Sequence, residues 1–137
     1  MPVNEIKITR PLATLLLGLA QKSPQQEICG LIGAIDEKPQ TVYPVTNAAS
    51  DPSREFAMDS RAQIDAFKAM RAKGETLFGI YHSHPQSPPV PSSKDLEDLG
   101  YPEALQLIIS LDTKGVLEMR AYRKHGKDAL EEVHLSV

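Results

Sequence analysis

One stretch near the middle of the chain constrains the fold most, because it runs from apolar residues into two histidines and then into prolines. Residues 77–81 read Leu-Phe-Gly-Ile-Tyr and predict a strand, which His82, Ser83 and His84 extend. Side chains alternate across a strand, so His82 and His84 project from one face and Ser83 from the other. The prolines at 85, 88, 89 and 91 predict that a stiff loop follows.

Hydrophobic patterning predicts a mixture of strands and helices around this segment. Helices are expected over residues 11–22, 60–73 and 93–100. Strands are expected over residues 5–9, 27–35, 41–46, 77–84, 105–111, 116–122 and 130–137, and 54–58 is a candidate for another short strand. Pro44 places the strand over 41–46 at a sheet edge or a bulge. The order of elements predicts an α/β or α+β fold, with a mixed β-sheet flanked by helices.

Length and composition limit the class of protein. With 137 residues, the chain is expected to form a single domain over residues 1–137. The formal net charge of −3 excludes the broad basic surface of a dedicated nucleic-acid-binding protein. The longest apolar run, residues 15–20, is too short to cross a membrane. Cys29 is the only cysteine, which excludes an internal disulfide and favours a cytoplasmic protein.

The histidine pair predicts a metal site when it is combined with a serine and an aspartate further along the chain. Asp95 follows the proline loop in the first turn of a predicted helix, where its carboxylate faces the loop. Two histidines, one carboxylate and a water would make a four-coordinate zinc site of the catalytic type. Taken alone, Ser92-x-x-Asp95 is a helix capping box, and a histidine pair is more often a packed or surface pair. The combined spacing is much more specific than either part.

Glu27 is the candidate acid, at the start of the strand predicted over residues 27–35. Taken alone, an acid in this position is more often a solvated edge residue than a catalytic one. Beside a zinc site it would accept a proton from water and deliver it to the leaving amine. Cys29, two residues further on, would share the face of Glu27, although such a cysteine is more often a small core residue.

Together these residues resemble the JAMM motif of the MPN+ metalloproteases, also called the Mov34/PAD-1 family. The resemblance covers most of the chain, and the spacing from the histidine pair to Ser92 and Asp95 is that of the family. All five functional positions are filled, as in active members. The matching segments are Glu27-Ile28-Cys29-Gly30-Leu31, Asn47, Phe56-Ala57-Met58-Asp59, Gly79-Ile80-Tyr81-His82-Ser83-His84-Pro85, Ser92 and Asp95.

The resemblance implies a JAMM/MPN fold similar to that of cytidine deaminases. It implies that His82, His84 and Asp95 bind Zn²⁺. It also implies that Glu27 is the general acid/base and that Ser92 donates a hydrogen bond to the oxyanion of the reaction. The proline loop would either line the substrate groove or brace Asp95. The implied reaction is hydrolysis of a peptide or isopeptide bond after a flexible tail that often ends in Gly-Gly.

In its length the chain resembles the small stand-alone bacterial and archaeal members of the family. Some of these release cysteine or a short peptide from a ubiquitin-like sulfur-carrier protein, and the compact length favours this substrate. Others are isopeptidases that cleave ubiquitin-like modifiers from proteins, and a non-catalytic MPN scaffold is a further alternative. A zinc nucleobase deaminase is excluded, because it needs a P-C-x-x-C segment and the chain has one cysteine. The expected partner is therefore a ubiquitin-like or sulfur-carrier protein with a Gly-Gly tail, and neither nucleic acid nor a membrane.

Overall fold

The computed structural model describes residues 5–97, 101, 103–112, 118–125 and 129–137, which form one mixed sheet with helices against it. The sheet order is β1-β7-β6-β5-β4-β2-β3. The pairs β1–β7 and β4–β5 are parallel, and the other neighbours are antiparallel. The predicted class, a mixed β-sheet flanked by helices, is confirmed. The elements are β1 (Glu5–Lys7), α1 (Arg10–Gln21), β2 (Cys29–Ile35), β3 (Lys38–Val45), α2 (Ser60–Ala72), β4 (Thr76–His84), α3 (Ser93–Glu97), β5 (Leu105–Ser110), β6 (Glu118–His125) and β7 (Ala129–Ser136).

The two long helices cover opposite faces of the sheet. Helix α1 packs into a cluster that contains Ile32 and Tyr81, whereas α2 packs into a second cluster that contains Leu31 and Ile80. Successive residues of β2 and of β4 therefore enter different cores, as the alternation of side chains along a strand requires. His82 and His84 follow Ile80 at intervals of two and so lie on the α2 face.

Both helices begin and end at residues that the sequence indicates. The Thr9 hydroxyl caps α1 by accepting a hydrogen bond from the Leu12 N–H at 3.3 Å. The Asp59 carboxylate caps α2 by accepting one from the Ala62 N–H at 2.9 Å. Gly74, with a φ of +72°, follows the last turn of α2 in the left-handed conformation that glycine adopts readily. No helix in the described part of the chain is both long and apolar enough to span a membrane.

Strand β4 is an inner strand, paired to β2 on one side and β5 on the other. His82 lies opposite Cys29 of β2 and Ile108 of β5, and His84 lies opposite Ser110. Gly30 of β2 lies opposite Tyr81, and a Cβ at Gly30 would overlap the Tyr81 hydroxyl. The absence of a side chain at position 30 therefore allows the aromatic ring to lie flat in the core.

Several boundaries differ from those predicted. The predicted strand at 54–58 is wrong: this segment forms an isolated bridge at Met58 with Asn47. The Glu55 carbonyl and the Ala57 N–H bond to the Asn47 side chain and not to a neighbouring strand. Strand β2 begins at Cys29, so Glu27 lies just before the strand. Strand β3 is at the sheet edge, as Pro44 predicted. The predicted turn between β5 and β6, at 113–115, and the predicted end of the third helix, at 98–100, lie outside the described residues.

Candidate active site

The end of β4 brings three potential metal ligands to one point. The Nε2 atoms of His82 and His84 are 3.1 Å apart. One carboxylate oxygen of Asp95, Oδ2, lies 3.1 Å from the first nitrogen and 3.2 Å from the second. The side chains are 1%, 2% and 7% exposed, respectively, so this triangle is almost closed to solvent.

Each histidine ring is held by a neighbour outside the strand. The Nδ1 of His84 lies 2.9 Å from the carbonyl oxygen of Pro88 and donates to it, since a carbonyl can only accept. The His82 ring stacks on Phe56, with ring centroids 4.4 Å apart and an angle of 23° between the planes. Strand alternation places the two rings on one face, and these contacts orient them.

Ser92 and Asp95 form a reciprocal capping box at the start of α3. The Ser92 N–H donates to Asp95 Oδ2 at 2.9 Å, and the Asp95 N–H donates to Ser92 Oγ at 3.1 Å. The capping interpretation of this motif therefore holds, and it places the carboxylate against both histidines. The Ser92 hydroxyl accepts one hydrogen bond in this arrangement, so its own proton stays available for donation to another group.

The donor set fits a metal ion. A tetrahedral zinc centre with bonds of about 2.0 Å separates its ligand atoms by roughly 3.3 Å, close to the 3.1–3.2 Å seen between these three atoms. With its proton on Nδ1, a neutral His84 turns a lone pair on Nε2 toward the Asp95 oxygen. Two acceptors at this distance repel each other unless a second proton or a cation lies between them. The cluster of Glu27, His82 and His84, with ligand atoms within 4.8 Å of one another, is likewise able to hold a metal.

Glu27 lies beside this triangle on a segment fixed by hydrogen bonds from both sides. Its N–H donates to the Pro52 carbonyl at 2.7 Å. The next residue, Ile28, donates its N–H to Ser83 Oγ at 2.9 Å and accepts from the Ser83 N–H at 3.1 Å. Ser83, which points away from the histidines, therefore anchors the chain that carries Glu27.

The surroundings of Glu27 favour its protonated form in the metal-free protein. Its carboxyl is 5% exposed, and Oε1 has no hydrogen-bond partner among the described residues. Burial raises the pKa of Glu27 to about 7; the charge of His84 opposes this shift, and the charges of Asp95 and Glu55 add to it. A carboxyl with a pKa near neutrality is suited to both accepting and releasing a proton.

Within the triangle, hydrogen bonds outweigh burial and favour the charged forms of Asp95 and His84. Burial alone would raise the pKa of Asp95, but hydrogen bonds from His82 and His84 hold that pKa far below its ordinary value. Burial would lower the pKa of His84, yet the hydrogen bonds with Asp95 and with the Pro88 carbonyl raise it overall. Burial lowers the pKa of His82. Asp95 therefore provides a permanent negative charge, which a cation site requires.

The proline loop braces the site. Three consecutive carbonyl oxygens, those of residues 87, 88 and 89, accept hydrogen bonds from Ser110 at 2.7 Å, from His84 at 2.9 Å and from Tyr122 at 2.6 Å. The loop is thereby attached to β5, β4 and β6 in turn. Val90 at its end is 47% exposed, so the loop also borders solvent next to the site.

A cavity of about 390 Å³ opens next to Asp95. Phe56, Met58 and Tyr101 contribute apolar wall, and Lys94 contributes positive charge. Its volume lies within the range of small-molecule and peptide side-chain pockets. Phe56 belongs both to this wall and to the stack on His82, so a chain bound in the cavity would lie directly beside the ligand triangle.

Cys29 is a core residue by its contacts. Its side chain is 2% exposed, and its thiol donates to the Val45 carbonyl at 3.4 Å. Burial, with a contribution from the charge of Glu27, raises the pKa of Cys29 to about 12. The thiol therefore stays protonated, which disfavours metal binding, since the thiolate is the ligand.

The structure thus brings all five predicted residues to one place, and it adds others that sequence reasoning missed. Phe56 was noted only as part of a matching segment, and neither Tyr122 nor the Pro88 carbonyl was singled out. A backbone carbonyl leaves no mark in a sequence. Tyr122 sits two strands away from the histidines in the sheet order, so no local pattern could associate it with them.

Comparisons with known proteins place the chain in a family. A family described as prokaryotic homologs of the JAB domain matches residues 9–124. A desampylase from Haloferax volcanii is 35% identical over 96 residues, 68% of each chain. A CysO-cysteine peptidase from Mycobacterium tuberculosis is 28% identical over 123 residues, covering 88% of this chain and 84% of that one.

Two solved structures have the same fold. A protein from Desulfitobacterium hafniense superposes with a TM-score of 0.81 at 30% identity, covering 95% of this chain and 90% of the other. A JAB1/MPN domain protein from Archaeoglobus fulgidus superposes with a TM-score of 0.59 at 18% identity, covering 96% and 97% of the two chains.

Proposed function

This chain belongs to the family of prokaryotic homologs of the JAB domain, and we propose that it is a zinc-dependent peptidase acting after the Gly-Gly tail of a ubiquitin-like, sulfur-carrier protein. The resemblance inferred from the motif is confirmed by that membership. The family and its named relatives make the chain a hydrolase of the JAMM type. The proposal adds the metal, the substrate and the role of each residue.

One observation supports the proposal above the others: three buried candidate ligand atoms lie 3.1–3.2 Å apart, beside a carboxyl oxygen of Glu27 that has no partner in the described part of the chain. In this proposal His82, His84 and Asp95 hold zinc. A set of two nitrogens and one carboxylate oxygen is typical of catalytic zinc. When bound, zinc supplies Lewis acidity to the scissile carbonyl and lowers the pKa of water.

The remaining two residues handle protons and charge. Glu27 accepts a proton from the attacking water and delivers it to the leaving amine, for which its raised pKa is suited. The Ser92 hydroxyl, which accepts a hydrogen bond from the Asp95 N–H, donates its own proton to the oxygen that becomes negative when the carbonyl is attacked. A scaffold that only binds partners would need neither group, so the non-catalytic alternative is disfavoured.

The burial of the site supports a substrate with a glycine tail. Both histidines are almost fully buried, so the scissile bond must approach the triangle closely. Glycine has no Cβ and allows such an approach by the backbone. A relative named CysO-cysteine peptidase supports release of cysteine from a carrier protein. A cytoplasmic location remains a prediction based on the single free thiol of Cys29.

A second candidate function is deconjugation, in which the bond to be cleaved joins the tail to a lysine side chain. The relatives named desampylase and TtuB-protein conjugate cleaving protease support it. Both functions require the same triangle and the same Glu27. They differ only in the group that leaves.

The deciding experiment compares two substrates built on one ubiquitin-like carrier that ends in Gly-Gly. One substrate carries an additional C-terminal cysteine, and the other is joined through its last glycine to a lysine side chain of a second protein. Cleavage is followed by mass spectrometry. We expect faster release of cysteine, loss of both activities with a zinc chelator and recovery on adding zinc.

Two controls accompany this experiment, a variant of the enzyme and a variant of the carrier. Glu27→Gln should bind zinc but cleave neither substrate at a comparable rate. A carrier whose terminal glycine is replaced by alanine should be cleaved much more slowly. Preference for the lysine-linked substrate would favour the second candidate, and full activity after metal removal would contradict the proposal as a whole.

A further inference from the structure

Asn47 has no role in the proposed mechanism, although its side chain contacts the backbone of Glu27. It follows the edge strand β3 and pairs with Met58 in an isolated antiparallel bridge. Its side-chain NH₂ donates to the Glu27 carbonyl at 2.9 Å and to the Glu55 carbonyl at 3.0 Å. Its Oδ1 accepts from the backbone N–H groups of Ala49 at 3.0 Å and Ala57 at 3.1 Å.

These four bonds use the full capacity of the amide. An asparagine side chain has two N–H donors and one oxygen with two lone pairs, and each has a backbone partner here. Loop-forming asparagines commonly bond to a backbone group two residues ahead, as Asn47 does with Ala49. The other three bonds reach segments 8 to 20 residues away and have no part in forming a local turn.

The partners of Asn47 belong to the two segments that border the ligand triangle. One segment carries Glu27, and its carbonyl is held directly. The other runs from Glu55 to Ala57 and carries Phe56, the residue stacked on His82. A single side chain therefore joins the candidate proton carrier to the aromatic ring that backs one candidate metal ligand.

We propose that Asn47 is a positioning residue, which fixes Glu27 at the distance from the triangle that proton transfer requires. The inference rests on the proposed function, because it assumes that Glu27 carries protons. The Oε1 atom of the Glu27 carboxyl has no hydrogen-bond partner among the described residues, whereas both polar groups of its backbone have one. Its place is therefore set by its backbone, which Asn47 holds at the carbonyl and Pro52 at the N–H.

The chemistry of the site explains why an amide serves here. Aspartate has the same shape but would place a carboxylate against the carbonyls of Glu27 and Glu55, where two donors are needed. Alanine would leave four backbone groups without their present partner. Asn47→Asp removes both donor bonds, to Glu27 and to Glu55, but keeps the acceptor bonds to Ala49 and Ala57, whereas Asn47→Ala removes all four.

The test measures whether Asn47 acts through Glu27. Asn47→Asp and Asn47→Ala are each made in the wild-type chain and in Glu27→Asp, whose carboxyl is already displaced by one methylene and which keeps a carboxyl for slow turnover. Zinc content, melting temperature, kcat and KM are measured on the Gly-Gly-Cys carrier. Ser53→Ala, which removes an exposed hydrogen bond in the same loop, is the matched control.

In the wild-type background we expect either Asn47 variant to lower kcat by about tenfold to a hundredfold, because small displacements of a catalytic group have effects of that size. Zinc content and KM should stay within about twofold of the wild-type values, and Ser53→Ala should behave as wild type. In Glu27→Asp the same changes at Asn47 should cost less than about threefold, because residues that act as a unit are not additive.

Two results would overturn the inference. An equal fold-loss in both backgrounds would show that Asn47 supports the fold and not Glu27. Unchanged kcat in Asn47→Asp would show that the bond to the Glu27 carbonyl has no role. If Glu27→Gln itself were fully active, the proposed function would fail instead, so the two failures are distinguishable.

Discussion

The candidate site has two halves that are built in different ways. His82 and His84 lie within β4, where backbone ladders to β2 and β5 hold the chain on both sides. Glu27, Ser92 and Asp95 lie outside the strands of the sheet, and side-chain hydrogen bonds set their positions. The half that contains His82 and His84, here called the ladder half, is supported by many equivalent backbone hydrogen bonds. The half that contains Glu27, Ser92 and Asp95, the loop half, is supported by a few specific ones. Single substitutions should therefore affect the two halves in different ways.

The two halves also differ in the chemical groups that they supply. The ladder half supplies two of the three candidate metal ligands, which need only to stay in place. The loop half supplies the third candidate ligand, Asp95, together with the proposed proton carrier and the proposed oxyanion donor. Groups held by few hydrogen bonds can be adjusted by small changes in the loops without disturbing the sheet.

Removing a ligand from the ladder half should have the largest effect. His84→Ala is expected to lose nearly all zinc on dialysis and to reduce kcat/KM by more than about 10³-fold, because the Lewis acid contributes several kcal/mol to the transition state. Zinc is measured by atomic absorption and folding by circular dichroism. His134→Ala removes an exposed histidine of β7 and serves as control. Full zinc content in His84→Ala would mean that this strand does not hold the metal.

In the loop half, Ser92→Ala should reduce kcat by about 10²-fold with zinc retained. The hydroxyl is lost as a donor to the developing oxyanion, which typically costs this much. The Ser92 backbone N–H still holds Asp95, so the metal should stay bound. Loss of the cap should lower stability by about 1 kcal/mol. Ser93→Ala, at an exposed neighbouring position, is the control. A change in KM alone would leave Ser92 with the capping role only.

The pH dependence of stability should distinguish Glu27 from the ladder half in the metal-free protein. Its pKa is raised from 4.5 to about 7, so the folded state binds the proton more tightly than the unfolded state. The stability that this group contributes is therefore fully present below pH 4.5 and is lost as the pH rises through about 7, a change of up to about 3 kcal/mol.

Glu27→Gln has no such proton, so its stability relative to the wild-type protein should increase over the same pH range. Urea unfolding in the presence of a chelator, at pH 5 and pH 8, measures the difference between the two proteins. A difference that does not change with pH would show that Glu27 titrates normally in the fold.

The smallest effect is expected at the bracing hydrogen bonds of the proline loop. Tyr122→Phe removes the bond to the Pro89 carbonyl and should cost about 1 kcal/mol of stability. Orientation of His84 through the neighbouring carbonyl should suffer slightly, so zinc affinity should fall by up to about tenfold. A competition titration with a zinc chelator measures this. Reduced stability with unchanged zinc affinity would show that this hydrogen bond braces the proline loop but does not orient His84.

Local patterns predicted the parts of the fold that depend on neighbouring residues. The period of two placed His82 and His84 on one face, and the caps and Gly74 bounded α2 within a residue or so. Glu27 and the segment 54–58 were expected in strands, and neither lies in one. The Glu27 N–H bonds to the Pro52 carbonyl, and the Glu55 carbonyl and the Ala57 N–H bond to the Asn47 side chain, not to a neighbouring strand. A sequence does not show which distant partner a polar backbone group will find.

The amino-acid sequence alone shows which chemical groups are available: two imidazoles on one face, a carboxylate paired with a serine three residues earlier, and one acid at the start of a predicted buried strand. Three further features depend on the folded chain: the candidate ligand atoms lie 3.1–3.2 Å apart, burial raises the pKa of Glu27 to about 7, and Asn47 holds the Glu27 carbonyl. Spacing along a chain fixes side-chain direction over a few residues. Distances across loops and the loss of solvent follow from packing between elements that are far apart in the sequence.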